Sequence, residues 1–176
     1  MDNWFETIAA ETSLTEEAAW QLHEAGFVVM EGVAPPSHCA QLSAAYDAAV
    51  LAAHPADVRI GSTSTRIHDF VNRGPEFDAL YLYAPLLAAC CQVIGRPFKL
   101  SSMLARTVEP DAPAQSLHVD FQCYDDGWPM VGFILMMNEF TRDNGATRFV
   151  PDSHLTRQVP ARPMVKPPRS TTTRQC

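Results

Sequence analysis

Residues 116–154 read SLHVDFQCYDDGWPMVGFILMMNEFTRDNGATRFVPDSH, and this stretch decides how the rest of the chain is interpreted. It begins with a pattern typical of a β-strand, in which His118 and Asp120 are two positions apart. Because residues i and i+2 of a strand point to the same face, an imidazole and a carboxylate would lie side by side. Ser116 and Gln122 would share this face, and the apolar residues between them would point the other way. The pattern therefore predicts the wall of a polar cavity.

An imidazole and a carboxylate are two of the three ligands of the facial triad that binds non-haem Fe(II) and leaves positions open for oxygen and a co-substrate. The same spacing also occurs in ordinary surface strands, so the motif alone leaves both interpretations open. The residues that follow are more specific. The apolar run VGFILMM at 131–137 predicts a strand buried on both faces. Asp143-Asn144-Gly145 predicts a tight turn between that strand and the next.

Upstream of this stretch the sequence predicts helices. Ser13-Leu-Thr-Glu16 is a capping-box pattern that predicts a helix ending at Gly26. Further helices are predicted between Pro35 and Pro55 and from Pro85 to Gly95. Strands are predicted at 27–31, 97–109, 114–124, 128–140 and 147–151, with a further short strand at 65–71. Helices followed by consecutive strands and tight turns predict an α+β fold with a mainly antiparallel sheet.

Composition limits the class of protein. With 176 residues, of which 47% are hydrophobic, the chain fits one soluble globular domain. A net charge of −7 argues against general binding to nucleic acid or to anionic membranes. Neither a signal peptide nor a membrane-spanning apolar run is visible, which favours a cytoplasmic protein. Five irregularly spaced cysteines without a CxxC pair predict reduced thiols and neither a zinc site nor a disulfide framework.

The charge changes sign near the end of the chain. Residues 157–176 contain five basic residues, four prolines and no acidic residue, which leaves a net charge of −12 on residues 1–156. The same twenty residues show no apolar periodicity. We therefore predict a folded domain at 1–156 and a basic, proline-rich, disordered tail at 157–176.

Two blocks of this sequence resemble a known family. HVDF at 118–121, the apolar strand after it and RDNGATRFVPDSH at 142–154 resemble the phytanoyl-CoA dioxygenase family of Fe(II)- and 2-oxoglutarate-dependent oxygenases. LHEAGFVVMEGVAPPSHCAQL at 22–42 is similar to the opening helix, strand and second helix of that family. The resemblance covers about residues 15–156, and the 118–154 block is its most specific part.

The resemblance implies a fold, a reaction and a site. The fold would be a double-stranded β-helix, or jelly roll, buttressed by the N-terminal helices. His118 and Asp120 would be the first two Fe(II) ligands. Molecular oxygen and 2-oxoglutarate would be consumed while a small organic substrate is hydroxylated. Relatives that halogenate carry a small residue in place of the carboxylate, so Asp120 favours hydroxylation. Candidate co-substrate contacts, for which packing or surface roles are the alternative, are Lys99, Ser101, Met103 and Gln115.

The chain departs from the family pattern in two places. The glycine of the family's P-G-S-H segment is Asp152 here. In the family the third iron ligand is a histidine well downstream of P-G-S-H, followed about ten residues later by an arginine that pairs with 2-oxoglutarate. No histidine follows His154, and the arginines of the tail do not have that spacing; they are Arg157, Arg162, Arg169 and Arg174.

These departures leave three interpretations. The first is a dioxygenase by ancestry, truncated or frameshifted near residue 157, with only four or five of about eight jelly-roll strands and with weak or absent Fe(II) binding. The second is a catalytically inactive remnant, or a small-molecule-binding module, of the same fold. The third is a cupin-type metalloprotein with His118, Asp120 and His154 as its ligands.

Overall fold

The computed structural model describes residues 3–32, 35–121 and 123–155. The α-helices in this part of the chain are α1 (Trp4–Glu11), α2 (Glu16–Ala25), α3 (Pro36–Ala52), α4 (Asp78–Tyr81) and α5 (Ala84–Ile94). The strands are β1 (Val58–Ile60), β2 (Ser64–Ile67) and β3 (Ala105–Val108), and four 3-10 turns lie at Pro55–Asp57, Phe70–Asn72, Pro75–Phe77 and Ser153–Leu155. The predicted α+β class is confirmed, because helices and one small antiparallel sheet coexist.

The sheet has the order β1-β2-β3, and both pairings are antiparallel. A tight hairpin joins β1 to β2, in which the Gly61 amide donates to the Ser64 carbonyl at 2.9 Å. β3 returns from far along the chain to pair with β2, so that Ile67 lies opposite Ala105. As the central strand, β2 has Ser64 and Ile67 buried, whereas β3 has one partner and is largely exposed.

The hydrophobic core lies between α3, β2 and the short turns that follow β2. Its buried members are Leu42, Ala49, Ile67, Phe70, Phe77 and Leu80. The Phe70 ring stacks on Tyr46 at a centroid distance of 5.8 Å and meets Phe77 edge-on at 5.1 Å. Arg73 closes the rim of this core, because its guanidinium donates to the Asp57 carboxylate at 3.0 Å and to the His68 carbonyl at 2.9 Å. The buried residues of this core therefore all lie between positions 42 and 80.

The three predicted helices, α2, α3 and α5, begin and end close to the predicted positions. Thr15 caps α2 by accepting a hydrogen bond from the Ala18 amide at 3.2 Å, so the cap is Thr15 and not the predicted Ser13. Gly26 ends the helix with a φ of 80°, a left-handed conformation that glycine adopts without strain. α3 lies in the interval predicted between Pro35 and Pro55, and α5 lies in the interval predicted from Pro85 to Gly95.

Two helices have no counterpart in the prediction, the single-turn helix α4 and the longer α1. α1 covers Trp4–Glu11 and packs on α5. Trp4 and Phe5 both meet Phe98 edge-on, at centroid distances of 5.3 and 6.3 Å. These contacts come from residues about ninety positions away, so a search for local capping signals could not find them.

Most of the predicted strands are wrong. The segments 27–31, 114–121, 128–140 and 147–151 have no regular secondary structure, and only the end of the predicted 97–109 strand forms β3. The predicted 65–71 strand is partly correct as β2. Alternating polar and apolar residues specify which face a strand would present, but a strand also requires a neighbour whose backbone pairs with it. None of these segments has such a neighbour in the described part of the chain, and VGFILMM is not fully buried.

The thiols on α5 provide a test of this packing. Cys90 and Cys91 are free, and burial raises the pKa of Cys90 to about 11, with a smaller contribution from the neighbouring Cys91. Only the thiolate is nucleophilic, so we expect iodoacetamide to label Cys90 slowly at pH 8 and progressively faster as the pH approaches 11. Mass spectrometry of tryptic peptides measures this rate. Rapid labelling of Cys90 at pH 8 in the folded protein would contradict the burial.

Some predictions fall outside the described residues. They are the tail at 157–176, Cys176 and the side chain of Gln122. Within the described ranges no single helix is long and apolar enough to cross a membrane; one pair of helical segments, Pro75–Tyr81 and Ala84–Ile94, reaches that length only together and with a bend of 41°.

Candidate functional site

His118 and Asp120 lie close together, although they are not on a strand. The His118 Nε2 atom is 3.5 Å from the Asp120 Oδ1 atom. A bend at Asp120, in an otherwise irregular segment, produces this proximity. The side chains are 61% and 83% exposed, respectively, so both can reach a ligand that arrives from solvent. The predicted pairing of the two side chains is therefore observed, but the buried cavity wall is not.

The other ring nitrogen of His118 has a fixed partner. Nδ1 is 2.8 Å from the Ser116 carbonyl oxygen, which can only accept a hydrogen bond. An N–H on Nδ1 satisfies this contact, and Nε2 is the ring nitrogen on the side of Asp120. A backbone carbonyl that fixes the tautomer in this way is the usual partner of a metal-binding histidine. Sequence reasoning placed the Ser116 side chain at the site, whereas the structure uses its backbone carbonyl.

A second contact holds the segment that carries this pair. The Arg148 guanidinium donates to the Gln115 carbonyl at 3.1 Å, which ties the approach to His118 to the TRFVP stretch. In the turn before that stretch, the Asn144 side chain donates to the Glu139 carbonyl at 2.6 Å and accepts from the Thr141 amide at 2.9 Å. The turn predicted at 143–145 is confirmed, and its asparagine stabilises it.

The described residues contain no third ligand for a metal at this pair. No group of three histidine, cysteine or acidic side chains comes together anywhere in the described ranges. The cupin-type interpretation is therefore wrong, because His154 lies at the end of α2, where its Nε2 donates to the His23 carbonyl at 2.8 Å. The pair offers one imidazole nitrogen and one carboxylate oxygen, which are donor types that Fe(II) accepts.

The VPDSH segment at 150–154 is hydrogen-bonded to the C-terminal end of α2. The Asp152 amide donates to the Ala25 carbonyl at 3.1 Å, and the His154 ring lies directly over Gly26, where a side chain would collide with it. Asp152, at the position of the family's glycine, has a φ of 63°. Aspartate is among the few residues that tolerate this left-handed conformation, so the exchange preserves the local shape.

The other predicted co-substrate contacts differ in burial: Met103 is partly buried at the core, and the rest are exposed. Met103 packs against the hydrophobic core, and its carbonyl accepts from the Phe70 amide at 3.1 Å. Lys99, Ser101 and Gln115 are exposed. One cavity of about 360 Å³ lies elsewhere, where α1 and the loop after it face α5; its lining residues are Ala9, Thr12, Ser13, Leu14, Ala88, Cys91 and Gln92.

Comparison with known proteins decides the ancestry of this chain. The profile of the phytanoyl-CoA dioxygenase (PhyH) family matches residues 22–175. The chain belongs to the phytanoyl-CoA dioxygenase family. This match includes most of residues 157–176, so the domain boundary at residue 156 stays a prediction.

Individual members of the phytanoyl-CoA dioxygenase family are similar over most of this chain. The multifunctional dioxygenase prhA of Penicillium brasilianum is 30% identical over 82% of the chain and 54% of its own length. The multifunctional dioxygenase ausE of the same organism is 29% identical over 75% of the chain and 50% of its own length. The dioxygenase cdmA of Talaromyces verruculosus is 45% identical over a shorter stretch, 30% of the chain and 22% of cdmA. The chain thus spans about half the length of prhA and ausE, and no solved structure matches it.

Proposed function

We propose that this chain provides the first two iron ligands of an Fe(II)- and 2-oxoglutarate-dependent dioxygenase that hydroxylates a small organic molecule. The observation that carries the proposal is the 3.5 Å separation of His118 Nε2 and Asp120 Oδ1 in a member of the phytanoyl-CoA dioxygenase family. Two ligand atoms about 2.1 Å from one ion are at most about 4.2 Å apart, so this pair can share an ion. The names of prhA and ausE, multifunctional dioxygenases, support the reaction class.

The residues of this chain have distinct tasks in that proposal. His118 binds through Nε2 while the Ser116 carbonyl holds the proton on Nδ1 and fixes the plane of the ring. Asp120 contributes a negative charge that partly balances the cation. Bound Fe(II) would supply the oxygen activation that side chains lack: 2-oxoglutarate and oxygen give succinate and carbon dioxide, and one oxygen atom enters a substrate C–H bond.

The finer description of the fold belongs to the same proposal. We place the His118–Asp120 pair in the wall of a double-stranded β-helix, as the family resemblance implies. Turnover then requires a third ligand and a cationic partner for 2-oxoglutarate, which the described residues do not bring to this pair. With two protein ligands we expect the chain alone to bind Fe(II) weakly, because each lost ligand reduces metal affinity.

Anaerobic calorimetric titration with Fe(II) and 2-oxoglutarate tests this assignment. We expect His118→Ala and Asp120→Ala each to lower the affinity for Fe(II) by about tenfold or more, as a lost ligand does. His23→Ala and Asp125→Ala remove an exposed histidine and an exposed carboxylate elsewhere and should leave the affinity unchanged. Affinity that survives His118→Ala would refute the assignment.

A second function is favoured by one observation, namely that no third ligand approaches His118 and Asp120 in the described ranges. A catalytically inactive remnant or a small-molecule-binding module would have this property. Succinate formation separates the two proposals, because the dioxygenase consumes oxygen and 2-oxoglutarate together. If neither the unaltered chain nor its variants bind Fe(II), the remnant is favoured. If the unaltered chain forms succinate and His118→Ala does not, the enzyme is favoured.

A further inference from the structure

Three arginines form a row across the three-stranded sheet. Arg59 on β1 lies directly opposite Arg66 on β2, and Arg66 lies directly opposite Arg106 on β3. We call these three residues the arginine row. Directly opposite residues in antiparallel strands have Cα atoms about 4.5–5.5 Å apart, so the row is about 10 Å long. Like charges in such positions destabilise a sheet, so the row works against the fold that carries it.

The arginine row is on the face of the sheet that points away from the hydrophobic core. In the adjacent row of the sheet, Ile67 is buried in that core, and Val58 and Ala105 pack against it. Because neighbouring positions of a strand point to opposite faces, the arginine side chains point to the other side of the sheet. All three arginines are exposed to solvent. Their side chains can therefore reach a ligand without any change in the core.

No acidic side chain of the described residues forms an ion pair with the arginine row. The ion pairs in this part of the chain join other residues. Just before β1, the Asp57 carboxylate accepts a hydrogen bond from Arg73 at 3.0 Å. Just after β3, the Glu109 carboxylate accepts one from the Thr65 hydroxyl at 3.0 Å. Outside the described ranges the sequence contains a single acidic side chain, that of Asp2. The positive charge of the row is therefore not balanced by the residues around it.

The charge of the arginine row is opposite to that of the protein around it. Residues 1–156 carry a net charge of −12 and contain eight basic residues, of which the row has three. The three strands and the hairpin between β1 and β2 contain no acidic residue. Such a row attracts anions locally, whereas the acidic remainder repels a polyanion that extends past the row. Nucleic acids and acidic proteins extend in this way, so the charge pattern favours a small ligand.

A small ligand that matches the row carries several negative charges within about 10 Å. A terminal phosphate group has roughly two negative charges and three acceptor oxygens, and guanidinium groups bind phosphate through parallel hydrogen bonds. We propose that the arginine row binds a short chain of phosphate groups, as in inorganic triphosphate or a nucleoside triphosphate. Arg66 contacts the middle of the chain, and Arg59 and Arg106 contact its ends. The proposal is independent of the iron site, because it uses neither of the two iron ligands.

Calorimetric titration of the full chain tests the proposal, with inorganic triphosphate in one arm and ATP in the other. EDTA is present in both arms, so that no metal ion bridges a ligand to the protein. We expect one-to-one binding of both ligands. In Arg66→Gln the Kd of each should rise by about tenfold or more, because charge-assisted hydrogen bonds to phosphate are lost. Arg142→Gln removes the same charge from an exposed residue outside the sheet and should leave the Kd unchanged.

Urea denaturation provides a second measurement on the same variants. Without phosphate ligands and at low ionic strength, Arg66→Gln should raise the urea midpoint, because it removes the repulsion from both neighbours in the row. Inorganic triphosphate should raise the midpoint of the unaltered chain and of Arg142→Gln, with little effect on Arg66→Gln. A cooperative transition in Arg66→Gln also shows that this variant is folded, so that its lower affinity reports the lost contacts.

Several results would overturn the proposal. Two of them are equal Kd values in Arg66→Gln and Arg142→Gln, and no binding of triphosphate by the unaltered chain. Binding of ATP without binding of inorganic triphosphate would mean that the nucleoside is recognised and not the phosphate chain. Tighter binding of 2-oxoglutarate than of triphosphate through Arg66 would assign the row to a dicarboxylate. Tighter binding of a double-stranded oligonucleotide would assign it to nucleic acid.

Discussion

Replacing Leu42 by alanine is expected to lower the free energy of unfolding by about 2–5 kcal/mol. Leu42 is 1% exposed on α3 and belongs to the cluster that includes Ile67 and Phe70. Truncation removes buried methyl groups and leaves a cavity that the stacked aromatic rings fill only in part. Urea denaturation followed by circular dichroism measures the loss as a shift of the midpoint.

The same helix supplies the control for this substitution. Leu51 is 88% exposed near the end of α3, so Leu51→Ala should change the free energy of unfolding by less than about 0.5 kcal/mol. Both variants make the same chemical change in the same helix and differ in burial alone. If the two variants lost equal stability, α3 would not pack on the sheet through Leu42.

The helices α2, α3 and α5 were predictable because their signals are local, whereas α1 and α4 were not predicted. The intervals bounded by Pro35 and Pro55 and by Pro85 and Gly95 hold α3 and α5, since proline and glycine act on the backbone where they stand. Even the error at α2 is small: Thr15 caps the helix two positions after the predicted Ser13, and both side chains can accept the same kind of hydrogen bond.

The strands were not predictable from local pattern, because pairing joins distant residues. β3 forms only because Ala105–Val108 finds β2 some forty residues earlier. The segments at 114–121 and 128–140 have an equally strand-like sequence and no such partner in the described residues. Hydrophobic periodicity specifies a face, whereas a strand also needs a second backbone, which a sequence read one window at a time does not reveal.

The candidate site, like the fold, was predictable from the sequence only in part. The spacing of His118 and Asp120 predicted that their side chains would meet, and they do at 3.5 Å, although through a bend and not through strand geometry. The Ser116 carbonyl that orients His118 gave no signal, because every residue has a carbonyl. The position of His154 over Gly26 was equally hidden, since it joins residues 128 positions apart.

That contact leads to the second large effect, the substitution Gly26→Ala. Gly26 and Gly95 both end helices in the left-handed conformation, with φ of 80° and 65°. An alanine in this conformation costs about 1–2 kcal/mol at either position. At Gly95 nothing lies near the added methyl group, whereas at Gly26 it collides with the His154 ring. We therefore expect Gly26→Ala to lower the free energy of unfolding by about 1 kcal/mol more than Gly95→Ala, because it also breaks the bond from His154 to the His23 carbonyl.

A double-mutant cycle separates the contribution of the His154 contact from the backbone strain at Gly26. In the His154→Ala background the added methyl group at Gly26 meets no ring, so Gly26→Ala should cost no more than Gly95→Ala does. Hydrogen exchange at the Asp152 amide, which donates to the Ala25 carbonyl, should accelerate in Gly26→Ala and stay slow in Gly95→Ala. Two results would mean that VPDSH does not hold the end of α2. One is an equal loss of unfolding free energy in Gly26→Ala and Gly95→Ala. The other is a loss in Gly26→Ala that is the same with His154 as with His154→Ala. Confirmation would show that VPDSH, which lies within the block that resembles the family, holds the C-terminal end of α2 in place.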